Sequence, residues 1–398
     1  MQKLAIVDPG LNEAGGHHAA LLNALLSTER KNTFDITVYS SLHIARELSE
    51  LACHQNLNVK PWFTSNFYQH FDDNASLRGE AINTFIRGLA SEYKTVITDL
   101  LNHLDINDKI VFWYPCVNWE HASALSLALS RLIKTKSYND HSCKHKVCSM
   151  FMSQQPENQL TNLPFETAFK RLNQFKNVEV YASDLELKDY LEKLNIEVCG
   201  IHPCYLLPWP KFDKAKKDSN CQSGDSKTYL LYMGDAKENK GYMLLPALIE
   251  RLSTVQSDNV RLIVQYTMTW PTPKLAEIEE KLIQLDKQIE NLEVHREFWS
   301  VDELVFNLKV IDLIFCTYDP PAYQHKSSGL AWIACYFQIP VVLRGECWLT
   351  REFTRLYHPF EVSSTLSYST QLLDKNFSQT TEYRSLLFQE PLDWIYQD

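Results

Sequence analysis

The chain has 398 residues, more than one hydrophobic core usually holds, and at 45% hydrophobic and 22% charged residues it reads as a soluble globular protein of two domains. Its 39 Lys and Arg against 49 Asp and Glu give a formal charge of −10, which excludes bulk nucleic-acid binding. No run approaches the roughly 20 apolar residues of a membrane-spanning helix.

The N-terminus "MQKLAIVDPG" carries one Lys and a short apolar run that stops at Asp8-Pro9, so it reads as a first strand and its turn and not as a cleavable signal. The turn-rich "PGLNEAGGHH" and the helical "AALLNALLS" follow, giving strand, loop, helix. Short β-rich runs then recur at 35–40 (DITVYS), 109–115 (KIVFWYP), 146–152 (KVCSMFM) and 178–183 (VEVYAS), separated by helix-length segments. Strands alternating with helices predict a parallel sheet covered on both faces. Residues 211–227, "KFDKAKKDSNCQSGDSK", hold almost no large apolar side chain and mark a linker. The alternation resumes at 228–234, 260–267, 292–298, 312–318 and 339–345. The predicted fold is therefore α/β, with two doubly wound Rossmann-like domains facing a cleft. Residues 1–210 form the first domain, 211–227 the linker and 228–378 the second domain, and 379–398 hold a C-terminal helix returning to the first domain. In such sheets ligands bind at the carboxyl ends of the strands. One helix, "KLAEIEEKLIQLDKQIENLE", has apolar Leu275, Ile278, Leu282, Leu285, Ile289 and Leu292 stepping by three and four, a stripe that fits packing on a sheet or a coiled-coil partner.

Three loops carry candidate chemistry. "GGHH" (Gly15, Gly16, His17, His18) lies between the first strand and helix, where glycines allow close approach of a ligand, helix amides favour an anion, and a histidine supplies a proton or a hydrogen bond. A plain turn with two exposed histidines fits the same letters. "GDAKENKG" (Gly234 to Gly241) follows the first strand of the second domain and offers Lys240 as a point charge for a phosphate oxygen. In "YQHKSSGLAWIACYFQIPVVL" (323–343), His325, Lys326, Ser327, Ser328 and Gly329 precede an apolar helix, so the stretch reads as an anion loop or as simple N-capping by serine. "YPCVNWEHAS" (114–123) follows a strand and points Asn118, Trp119, Glu120 and His121 toward the same edge. His17 and His121 are the candidate catalytic histidines.

Two further clusters carry less. His141, Cys143, His145 and Cys148 lie within eight residues, but their spacing matches no zinc pattern, and no metal is expected. Residues 131–146 hold five Lys or Arg against one Asp, a local basic stretch suited to anionic lipid head groups, to an acidic acceptor or to a solvated loop. The ten cysteines, Cys199, Cys316 and Cys335 among them, lie in apolar stretches and predict reduced thiols in the cytoplasm.

The order of these pieces resembles glycosyltransferases of the GT-B fold, in particular the retaining family 4. That order is a glycine-rich loop, then G-x5-K-G opening a second domain, then a Ser/Gly loop before a helix and "PVV". The best stretches are "YMGDAKENKG", "EFWSVDELVFNLKVIDLIFCTYDP" and "SSGLAWIACYFQIPVVL". The resemblance implies transfer of a sugar from a nucleotide-diphosphate donor to a glycan, lipid-linked or protein acceptor, without a metal cofactor. It implies that Lys240, with Gly234, grips the diphosphate and that Gly15 and Gly16 close over it. His325, Ser327, Ser328 and Gly329 would bind phosphate or sugar hydroxyls, and Phe298 and Trp299 would lie near the base. It further implies a first domain that receives the acceptor and a second that binds the donor. The basic charge of 131–146 separately offers a peripheral contact of a cytoplasmic protein with the inner membrane surface. Two departures stand out. Asp235 occupies the place of a common arginine, and the two family glutamates fall on His325 and Ile333, so the usual ribose clamp is absent. A non-catalytic GT-B-like binding protein and a sugar-nucleotide epimerase are the alternatives.

Overall fold

A computed structural model describes residues 2–13, 16–27, 33–48, 50, 57–65, 80–105, 108–204, 227–255, 259–374 and 381–396. The chain divides into two compact units: Met1–Pro210 with Ser385–Asp398, and Lys211–Arg384. Gly15 and the linker residues 211–226 lie outside the described residues.

Unit 1 runs β1 (Gln2–Val7), α1 (Gly16–Ser27), β2 (Phe34–Ser41), β3 (Asn58–Phe63), α2 (Glu80–Leu101), β4 (Lys109–Val117), α3 (Trp119–Leu132), α4 (Lys136–Asn139), β5 (Ser142–Ser149), α5 (Gln159–Leu172), β6 (Val178–Ala182), α6 (Leu185–Lys193) and β7 (Gly200–Ile201). All its strand pairings are parallel, in the order β3-β2-β1-β4-β5-β6-β7. The central strand β4 is buried from Ile110 to Tyr114, the continuous apolar run that a sheet covered on both faces demands. β3 is absent from the expected strands. Its "NVKPWF" contains Pro61 and little buried surface, which an edge strand tolerates because one row of its backbone groups goes unpaired. β5 begins at Ser142, four residues before the expected 146, because Lys109 to Trp113 pair with Ser142 to Lys146.

The fifth basic residue of 131–146 is a correction to the sequence reading. Lys146 is 1% exposed, donates to the carbonyl of Trp394 at 3.1 Å and sits 4.6 Å from the Trp394 ring centroid. Lys144 pairs with Glu179 at 2.8 Å. The basic stretch therefore keeps only Arg131, Lys134 and Lys136 as exposed cations, because Lys144 and Lys146 lie in β5, an inner strand of the sheet covered on both faces. Lys146 instead anchors the terminal helix α14 (Pro391–Ile395), whose Leu392, Trp394 and Ile395 join the unit 1 core beside Leu4, Val38 and Trp113. The C-terminal helix thus returns to the first unit, as expected.

Unit 2 runs β8 (Thr228–Asp235), α7 (Leu245–Val255), β9 (Val260–Thr267), α8 (Pro273–Gln288), β10 (Leu292–His295), α9 (Val301–Val310), β11 (Leu313–Cys316), α10 (Gly329–Phe337), β12 (Val341–Leu343), α11 (Trp348–Arg355), β13 (Phe360–Val362), α12 (Thr370–Leu373) and α13 (Glu382–Leu387), the last crossing into unit 1 at Ser385. Its parallel sheet has the order β10-β9-β8-β11-β12-β13. The stripe of α8 is core: Leu275, Ile278, Leu282 and Leu285 are buried with Leu252, Val264 and Tyr266. Pro273 opens this helix, Thr272 caps it by accepting from Leu275 N–H, and Ile289 already lies in extended backbone, so Leu292 belongs to β10. No helix of the described residues is long and apolar enough to cross a membrane.

Candidate functional site

Each sheet has one point where the strand order reverses. In unit 1 it lies between β1 and β4, and in unit 2 between β8 and β11. Crevices at the carboxyl ends of such strand pairs are where α/β sheets bind ligands. The candidate residues gather at both places.

In unit 2, Gly234, the next-to-last residue of β8, has φ +145°. A turn of 3₁₀ helix over Glu238–Lys240 then closes on Gly241, φ +70°. Gly241 is required twice over, for its left-handed backbone and because a Cβ there would sit 2.0 Å from the Thr317 carbonyl oxygen. Thr317 answers by donating its hydroxyl to the carbonyl of Lys240 at 2.7 Å. The turn after β8 is thereby locked to the residue after β11, and Lys240 is aimed back over Gly234, where a Cβ would lie 3.7 Å from Lys240 Nζ.

Lys240 does not stand alone. Its Nζ is 2.9 Å from Asp235 Oδ2, and Lys237 Nζ is 3.6 Å from the same oxygen. Burial alone would raise the Asp235 carboxyl, but the two ammonium groups outweigh it and hold it below the usual carboxylate range. The face of Tyr318 lies 5.9 Å from Lys240 Nζ, and its hydroxyl is 3.3 Å from Ser328 Oγ. Tyr318 is thus the piece that links Lys240 to the serine loop. Ser328 caps α10, its side chain accepting from Leu330 N–H at 3.4 Å, so its capping role is real and coexists with the contact to Tyr318. Gly329 is the first residue of that helix, and His325, Lys326 and Ser327 lie half-buried along the same loop. Phe298 is exposed, whereas Trp299 packs edge-on to His295 at 5.3 Å. Ile333 is half-buried, as are Gly329 and Tyr336 of the same helix.

In unit 1 the turn Asp8-Pro9-Gly10 follows β1. Asp8, 2% exposed, accepts the Gly10 N–H at 3.1 Å through Oδ1 and lies 2.9 Å from His18 Nδ1 through Oδ2. The His18 ring rests against Gly10, where a Cβ would come within 2.5 Å of its Nε2, so the glycine makes room for the histidine. Gly16 begins α1 at φ +79° with open space above it. The rings of His17 and His18 lie 4.0 Å apart, and His17 Nε2 is 3.4 Å from Cys116 Sγ on β4. His17, His18 and Cys116 form a group with ligand atoms within 4.8 Å of one another. No local pattern signals this group, since Cys116 and His17 are 99 positions apart.

His121 lies in the first turn of α3, 7% exposed, and its Nδ1 accepts the Asn118 N–H at 3.4 Å in a capping box. Burial pushes its pKa down to about 4, against a smaller opposing pull from Asp8, so the ring is neutral at pH 7. Glu120 beside it is 3% exposed, and burial lifts its carboxyl to about 8. Of the cluster read at 141–148, His145 and Cys148 are buried in the core, while His141 and Cys143 are half-buried. Tyr114 and Tyr138 hydroxyls lie 3.2 and 2.9 Å from the two ring nitrogens of His145, and Trp113 donates its indole N–H to Cys148 at 3.2 Å.

No protein-family model matches the sequence, and no curated protein matches it. Solved structures do match its fold. Anabaena Alr3699/HepE in complex with UDP and glucose is 13% identical, with TM-score 0.55, covering 99% of this chain and 95% of that one. A glycosyltransferase from Rickettsia africae ESF-5 is 10% identical at TM-score 0.55, with 94% and 87% covered. An alpha,alpha-trehalose 6-phosphate synthase from Burkholderia multivorans is 12% identical at TM-score 0.54, with 99% and 95% covered. The chain shares with these proteins the GT-B fold of two Rossmann-like parallel-sheet domains.

Proposed function

We propose that the protein is a glycosyltransferase that moves a sugar from a nucleotide-diphosphate donor to a glycan, lipid-linked or protein hydroxyl, with retention as in family 4. The observation that carries the reading is Lys240, held at the β8/β11 reversal by Gly241 and Thr317 and joined through Tyr318 to the N-cap of α10. A fold shared with a protein that holds UDP and glucose supports it. In transfer, the bond from the anomeric carbon to the β-phosphate oxygen breaks, the acceptor oxygen bonds that carbon, and the acceptor proton passes to the leaving diphosphate. Charge builds on that diphosphate, and a fixed ammonium with a helix N-terminus stabilises it there. Lys240 supplies the first and Ser328 with Gly329 the second, so the diphosphate itself calls for no metal. Gly234 leaves the lysine room, while Ser327 and His325 serve the sugar or phosphate. His17 and His121 serve the acceptor side, His121 as a neutral hydrogen-bonding ring. Arg131, Lys134 and Lys136 give a small cationic patch for peripheral contact with an anionic membrane surface from the cytoplasm. The test is a panel of UDP, GDP and dTDP and their sugars, read as thermal shift and donor hydrolysis. A shift with at least one nucleotide is expected, and none with any of them would remove the reading.

One observation favours a second reading. Asp235 already satisfies Lys240, and Ile333 supplies no carboxylate for a ribose, which suits a GT-B-like protein that binds a glycan or partner without turnover. A co-purified partner held as tightly by Lys240→Ala as by the parent chain would support it; loss of turnover in that variant would end it. Sugar interconversion without any acceptor would point instead to an epimerase.

A further inference from the structure

We propose that His17, His18 and Cys116 bind a zinc-type divalent cation in unit 1. This goes beyond the sugar-transfer reading and does not depend on it, and it departs from the expectation, drawn from the sequence, of a protein without metal. Two imidazoles and a thiolate are a donor set suited to a borderline-soft ion such as Zn²⁺ or Co²⁺. Bonds of about 2.1 Å to nitrogen and 2.3 Å to sulfur at a tetrahedral angle place the two ligand atoms about 3.6 Å apart. The His17 Nε2 to Cys116 Sγ distance is 3.4 Å, close to that separation. All three ligand atoms lie within 4.8 Å of one another.

The surroundings are built for the third ligand. Metal-binding histidines characteristically hold a carboxylate on the other ring nitrogen, which fixes tautomer and orientation. Asp8 does this for His18: its two oxygens lie 2.8 and 2.9 Å from Nδ1, and Oδ1 also accepts the Gly10 N–H at 3.1 Å. Asp8 is 2% exposed, so its hold is not shared with bulk water. Nε2 is then the metal-facing nitrogen of His18. Gly10 lets the ring seat against the turn, since any Cβ there would collide with it. The loop after β1 and the end of β4 meet only at the reversal of strand order, which is why the donors converge there. Three protein ligands leave a fourth tetrahedral position for water or a substrate hydroxyl, as in open zinc sites.

The experiment uses the full chain, freed of metal with a chelator, dialysed and titrated with Co²⁺ and then Zn²⁺. The expected result is one equivalent of Co²⁺ bound with a thiolate-to-metal absorption band, displaced by Zn²⁺. Cys116→Ser removes the band, whereas Cys199→Ser, at an exposed cysteine, keeps it. Asp8→Asn retains the band but weakens affinity about 10- to 100-fold, the usual effect of losing the carboxylate behind a ligating histidine. His17→Gln is the second ligand variant, in case Cys116→Ser fails to fold, and it loses stoichiometric binding. Absence of a Co²⁺ complex in the parent chain, or a thiolate band that survives in either ligand variant, would overturn the site and leave a His17–Cys116 hydrogen bond in its place.

Discussion

Asp235→Asn is expected to tighten, not weaken, the binding of a nucleoside diphosphate. The Asp235 carboxylate is 2.9 Å from Lys240 Nζ and 3.6 Å from Lys237 Nζ, so it neutralises one of the two cations a diphosphate would use. A charge-assisted hydrogen bond of this kind contributes about 1.5–3 kcal/mol when fully enclosed. The Lys240 and Asp235 side chains are 19% and 23% exposed, and screening reduces the figure to about 1–2 kcal/mol. An incoming diphosphate must displace that contact, so its removal corresponds to about 5- to 30-fold in Kd. Asparagine keeps the volume and a hydrogen bond to Thr267, whose hydroxyl lies 3.4 Å from the other Asp235 oxygen. Calorimetric titration with UDP reads the effect directly, with Lys240→Ala expected to lose affinity by about tenfold or more. Unchanged or weaker UDP binding in Asp235→Asn would refute the competition argument, and Asp235 would then be a residue that positions Lys240 for the ligand.

Other outcomes follow from the same geometry. Glu120 has a folded pKa near 8, above its unfolded value, so the folded state holds a proton that the unfolded chain releases from about pH 4.5 upward. Its contribution to stability is complete below that pH and is lost as pH rises to about 8. Glu120→Gln should therefore raise Tm by a margin that grows between pH 5 and 8, worth on the order of 4 kcal/mol at the top; a pH-independent difference would contradict the assignment. Lys146→Ala removes the hydrogen bond to Trp394 and the cation above its ring, and denaturant melts should show a loss of about 2–3 kcal/mol with earlier proteolysis at the C-terminal helix. Gly241→Ala drives a Cβ to 2.0 Å from the Thr317 carbonyl and should cost about 3 kcal/mol or more, abolishing nucleotide binding even where the chain still folds; a stable variant with full UDP affinity would show that the turn is not what aims Lys240.

The two parallel sheets were legible because strands buried on both faces must be apolar throughout, and β1, β4, β8 and β9 announce themselves that way. β3 was not, because an edge strand with Pro61 has neither the burial nor the alternation that betrays a strand. The α8 stripe is the same letters whether it meets a sheet or another helix, and only the packing of Leu275 through Leu285 on the unit 2 core decides between them. At the site, Gly234, Lys240 and Ser328 could be placed from local spacing, since a turn and an N-cap are short-range features. Tyr318, which joins them, could not, and neither could the meeting of His17 with Cys116. Those contacts depend on strand order, which no single stretch of sequence encodes. Lys146 misled for a related reason: among four other cations it reads as surface charge, yet β5 is buried on both faces from His145 to Ser149 and its lysine meets Trp394 there.

Release of nucleoside diphosphate from a panel of UDP-, GDP- and dTDP-sugars, followed by mass spectrometry in the presence of simple glycan acceptors, tests the central claim most directly. The account predicts turnover with at least one donor, a new acceptor-linked sugar, and collapse of both in Lys240→Ala with the fold intact. Turnover unchanged by Lys240→Ala, or no release from any donor, would contradict it.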